Sequence, residues 1–121
     1  METNSNLSIS SSYNKEGVIT HLHNMEQQDK TEQFYNLQKK ETIDYMNKHL
    51  SEEDVNRFVN VFKYPPANVN TSGPKQTGFL WCDNKDVQWA QNIIREAYDG
   101  HSGGSMACVC RWFEYALKSY E

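Results

Sequence analysis

SEEDVNRFVNVFKYPP, residues 51–66, is the stretch that decides the fold. Ser51 stands three residues before Asp54, with Glu52 and Glu53 between them, so a hydroxyl cap and three carboxylates meet the positive end of a helix. Val55, Phe58, Val59 and Phe62 follow at i, i+3, i+4 and i+7, which places four bulky apolar side chains on one face. Pro65 and Pro66 then stop the helix, because a proline ring cannot continue the hydrogen-bond ladder. A helix over residues 51–63 with an apolar stripe must bury that stripe against something, and the rest of the chain has to supply it.

On the N-terminal side, residues 28–50 run without glycine or proline, and Tyr35, Ile43, Met46 and Leu50, with Phe34 and Leu37 beside them, recur at helical spacing. This predicts the first helix. Further back, METNSNLSISSSYN, residues 1–14, is rich in Ser and Asn with Glu2 as its single charge, so residues 1–22 read as a flexible tail. GVITHLH, residues 17–23, alternates weakly, which suits a short edge strand or a lead into the first helix.

On the C-terminal side, PPANVNTSGPKQTG, residues 65–78, holds all three prolines and reads as a long irregular connection, with Phe79, Leu80, Trp81 and Cys82 after it as room for a short β element. Asp83, with Asp86 three positions on, caps a helix over residues 84–99 whose apolar face is Val87, Ala90, Ile93, Ile94, Ala97 and Tyr98. Gly100 ends it, and a last helix over residues 105–119 turns Met106, Val109, Cys110, Phe113, Ala116 and Leu117 inward, with Tyr120 after it. The expected fold is mainly α, a four-helix domain over residues 23–121 preceded by the tail.

Composition narrows the function classes. A chain of 121 residues supports one core, and a mean hydropathy of −0.85 is polar, yet three Trp, seven Tyr and five Phe are too many for a disordered chain. No apolar run is long enough for a membrane span and no signal peptide is visible, so a cytoplasmic protein is expected. A net charge of −4 without clustered Lys and Arg argues against a nucleic-acid binder. The three cysteines, Cys82, Cys108 and Cys110, do not form a disulfide framework.

GHSGGS, residues 100–105, is the one glycine cluster and leads into a helix N-terminus. Free N–H groups there attract anions, so His101, Ser102, Gly103, Gly104 and Ser105 are candidate ligand-binding residues for a phosphate or nucleotide, with catalysis as an extension. The spacing is not that of a P-loop, and the plainer account is a helix–helix connection in which Gly100 caps one helix and a serine the next. Gly100, Ser102 and Gly104 satisfy G-x-S-x-G, but the preceding element is a helix and not the strand that a nucleophile elbow needs, so no catalytic residue is assigned. Neither a cofactor nor a metal is expected. Cys108 and Cys110 lie about 200° apart on a helix, and His21 and His23 could share a face only on a strand.

Trp112 and Tyr115 lie off the Met106–Val109–Phe113–Leu117 stripe, and together with Arg111 they are the residue types enriched in protein interfaces. These three are the candidate partner-binding residues. The segment DNKDVQWAQNIIREAYDGHSGGSMACVCRWFEYAL, residues 83–117, resembles the helix-GHSG-helix segment of small tailed-bacteriophage proteins of unknown function. The resemblance carries no activity. It implies a setting, the cytoplasm of a host cell, and a mode of action, binding and redirecting a host protein in takeover or anti-defence. A partner-binding protein is therefore the first expectation, and a phosphate- or nucleotide-binding domain built on residues 100–105 is the alternative.

Overall fold

The structure, a computed structural model, describes residues 13–28, 33–66, 83–97 and 106–120. Five helices fall within them: α1 (Lys15–Gln28), α2 (Gln33–His49), α3 (Glu52–Lys63), α4 (Lys85–Ala97) and α5 (Met106–Lys118). The protein is mainly helical, with no strand among the described residues. Residues 67–82, most of the expected long connection with its room for a short β element, lie outside them, as do Met1 to Ser12.

The helix starts follow from local chemistry. Ser51 is the N-cap of α3, its hydroxyl accepting from Asp54 N at 3.1 Å, and at the other end Tyr64 N donates to Asn60 O. The cap of α4 is Asn84 and not Asp83: its Oδ1 accepts from Asp86 N at 2.8 Å and Val87 N at 3.1 Å. Asn14 does the same for α1, accepting from Gly17 N at 2.9 Å. Both caps are asparagines, which satisfy free N–H groups without needing a charge.

Two expectations are corrected at the N-terminal end. Among the described residues there are five helices and not four, and residues 13–22 do not belong to a tail. Val18, Ile19 and Leu22 are buried on α1. GVITHLH is helical because Val18, Leu22 and Met25 stand at i, i+4 and i+7, one face of a helix whose polar residues between them imitate weak alternation. The Ser- and Asn-rich composition of the first twelve residues does not extend past Asn14. The expected helix over residues 28–50 is accordingly α2 alone, beginning at Gln33.

All five helices surround one core, and α5 packs against each of the other four. Phe58, Phe62 and Phe113 are fully buried at its centre, with ring centroids 4.9 Å apart for Phe58–Phe62, 5.8 Å for Phe62–Phe113, and 5.2 Å with near-perpendicular planes for Phe58–Phe113. Edge-to-face contacts of this kind add about 0.5–1.5 kcal/mol each beyond the area they bury. Ile94 of α4, Leu22 of α1, and Ile43 and Met46 of α2 close the cluster.

The carbonyls at the end of α5 and just beyond it, which have no partner within the helix, are taken by other elements. Lys63 Nζ donates to Tyr120 O at 2.6 Å and to Leu117 O at 3.4 Å, while His21 Nε2 lies 2.8 Å from Ala116 O. A lysine from α3 and an imidazole from α1 thus tie the end of the chain to its beginning, and the lysine also complements the helix dipole.

Candidate functional site

Of the three interface candidates, the structure separates one from the other two. Trp112 is only 9% exposed: its ring meets Phe113 at a centroid distance of 5.0 Å, and Lys39 Nζ of α2 lies 5.0 Å over it. It is a core residue, because the apolar face of α5 is broad enough to include it once α2 lies alongside. Tyr115, about 60° further round α5, is 66% exposed. Arg111, half-buried, stands one turn before it, and Lys118, exposed, follows with its ammonium 2.8 Å from the Glu114 carboxylate. The outward face of α5 therefore carries an aromatic ring with a cation on either side of it in sequence.

His101, Ser102, Gly103, Gly104 and Ser105 lie outside the described residues. Among the described residues no three His, Cys, Asp or Glu side chains converge as a metal site would require. Helical α1 sends its two histidines apart: His21 reaches the end of α5, and His23 Nε2 lies 3.3 Å from Asp44 of α2. Asp44 also accepts from Lys40 at 3.1 Å, and this hydrogen bond and charge hold the Lys40 ammonium above the ordinary lysine value. Cys110 is buried, as its place on the apolar stripe predicts, and Cys108 half-buried, and burial pushes the Cys110 thiol up to about 12.

One pair could be mistaken for a nucleophile and its base. Ser119 Oγ is 3.3 Å from His21 Nε2. The same nitrogen, however, faces the Ala116 carbonyl, which can only accept, so Nε2 carries the proton and cannot remove one from a hydroxyl. Ser119 Oγ itself donates to that carbonyl at 2.7 Å. The arrangement is a helix cap.

A groove of about 440 Å³ runs between the outward side of α3 and the start of α4. Glu53, Asn56, Asn60 and Tyr64 line it from one side, and Asn84, Asp86 and Val87 from the other. Arg57 spans it: Nε and an NH2 nitrogen hold the Asp86 carboxylate at 2.9 and 2.8 Å, and the guanidinium lies 4.2 Å over the Trp89 ring. In the sequence Glu53 and Asp86 read as helix-start carboxylates and Val87 as core, and none of the groove residues as a site. Their signal was a polar stripe at positions 53, 56, 60 and 64, recurring at helical spacing beside the apolar one that attracted attention.

No family model, no curated protein and no solved structure matches the chain. No helix among the described residues is long and apolar enough to cross a membrane.

Proposed function

We propose that the protein acts by binding, occupying a surface of a partner protein in a host cell. The observation that supports this most directly is Tyr115, a large aromatic side chain 66% exposed on a helix whose other face is fully packed. Arg111 one turn earlier adds a planar cation, and Tyr–Arg pairs are frequent energetic centres of interfaces. The resemblance of residues 83–117 to segments of tailed-bacteriophage proteins is the reason to seek the partner among host proteins.

The test is capture from bacterial lysate on the immobilised full-length chain, read by quantitative mass spectrometry, with Tyr115→Ala and Arg111→Ala alongside. A protein retained by the parent chain and reduced about tenfold or more by Tyr115→Ala is expected, the size of a 1.4 kcal/mol loss. Identical capture by parent and variants would remove the α5 face from consideration. The ligand alternative is tested separately by titrating inorganic phosphate and ATP and following amide shifts. Shifts confined to residues 100–105, in a chain that captures no protein, would put that alternative first.

A further inference from the structure

The outward side of α3 already holds one non-helical residue by its backbone. Tyr13 N donates to Asn56 Oδ1 at 2.6 Å, and Asn56 Nδ2 donates to Tyr13 O at 2.7 Å, so a single side-chain amide pairs with both peptide groups of a residue that is not helical. One turn further on, Asn60 lines the groove between α3 and α4. Its Nδ2 donates to Asn56 O at 2.8 Å, which leaves Oδ1 without a protein donor among the described residues.

The charges of the groove are unequally satisfied. Arg57 is committed to Asp86 and to the Trp89 ring, so it does not offer a cation to a phosphate or an acidic ligand. Glu53, exposed on the same wall, has no ion-pair partner among the described residues. At the far end Tyr64, 55% exposed, stands beside Val61 and Pro66 as an apolar seat.

We propose that this groove binds an extended peptide segment of a partner protein that carries a lysine or arginine. Asn60 Oδ1 accepts from a backbone N–H of the segment, the basic side chain pairs with Glu53, and an apolar side chain rests on Tyr64 and Val61. The helix sets the spacing. Glu53 and Asn60 are separated by roughly 10 Å along the axis, and Glu53 and Tyr64 by roughly 16 Å. At about 3.3 Å per extended residue, the basic side chain stands about three positions from the N–H that Asn60 takes and about five from the apolar residue.

The experiment is to pan a library of random peptides on the full-length protein and then measure the affinity of the selected peptides by fluorescence anisotropy. Enrichment of a Lys or Arg about five positions from an aromatic or aliphatic residue is expected, with amide shifts at Glu53, Asn60 and Tyr64. Glu53→Gln should weaken binding by about threefold and Asn60→Ala by about fivefold, the sizes of an exposed ion pair and of one hydrogen bond. Thermal melts verify that both variants fold. Enrichment of acidic peptides, no enrichment at all, or affinities unchanged by both substitutions would overturn the proposal. Tyr115→Ala should leave peptide affinity unchanged, so failure of the α5 surface as a partner site and failure of the groove are separate results.

Discussion

Asn56 holds both hydrogen-bonding groups of Tyr13, accepting from its N–H at 2.6 Å and donating to its carbonyl at 2.7 Å, and so docks the residue before α1 onto α3. The Tyr13 ring then lies 5.9 Å from that of Tyr120, with Lys63 Nζ 5.8 Å from its centroid. Glu52 completes the junction by accepting from Lys15 N at 3.0 Å. Asn56→Ala removes the side-chain amide that pairs with both part-buried peptide groups of Tyr13 and should lower stability by about 1–3 kcal/mol in urea denaturation. Asn56→Asp, which keeps the acceptor and loses the donor, should fall between Asn56→Ala and the parent. A variant within experimental error of the parent would show that water replaces the amide without loss.

Gly17 lies inside α1, where glycine normally costs about 1 kcal/mol relative to alanine. A Cβ at this position would stand 2.5 Å from the Tyr120 hydroxyl oxygen, whereas the next Tyr120 atom is 3.7 Å away. Gly17→Ala alone should therefore gain little, because the Tyr120 ring must move. In a Tyr120→Phe background the helix-propensity gain should emerge, giving a coupling of about 1 kcal/mol in a double-mutant cycle. Equal effects in the two backgrounds would show that the ring yields freely.

Gln38 is 5% exposed, and its Oε1 is buried with no hydrogen-bond partner among the described residues. The nearby Thr42 hydroxyl is spent on the Gln38 main-chain carbonyl at 2.8 Å. An unsatisfied buried acceptor costs about 1–3 kcal/mol, so Gln38→Met, similar in volume and without the amide, should raise the thermal midpoint. A lower midpoint would mean that the amide is satisfied by a bound water.

Burial pushes the Cys110 thiol from 9.0 up to about 12, so the native state keeps its proton where the unfolded chain gives it up. The sign follows from proton linkage: stability from this residue is complete below pH 9 and declines as pH rises toward 12. Between those limits the parent should lose stability with pH more steeply than Cys110→Ala, measured by urea denaturation at a series of pH values. Parallel pH profiles would show that the thiol ionises in the folded protein. Thiol reagents at pH 8 should likewise leave Cys110 unmodified until the chain unfolds.

Much of the fold was legible because its signals are local. The apolar stripes of α3, α4 and α5 repeat within two turns, and the Ser51 cap acts three residues away, so these three helices could be placed by reading neighbours alone. α1 was missed because its apolar face is narrow, its first turn contains Gly17, and it follows a segment whose composition suggests a tail. What makes that face sufficient is distant in sequence: Asn56 and Glu52 on α3 hold its start, and the carbonyls of α5 receive His21.

The sequence by itself determined that the chain is mainly helical and that Phe58, Phe62 and Phe113 belong to the core, since amphipathic period and residue size are properties of each segment. Tertiary structure alone decided which polar-face residues reach solvent. Trp112 and Tyr115 are separated by only about 60° around α5, and either could have been the exposed aromatic. α2 lies over Trp112 with Lys39 and leaves Tyr115 uncovered, because exposure depends on the neighbouring helix and not on the one that bears the residue.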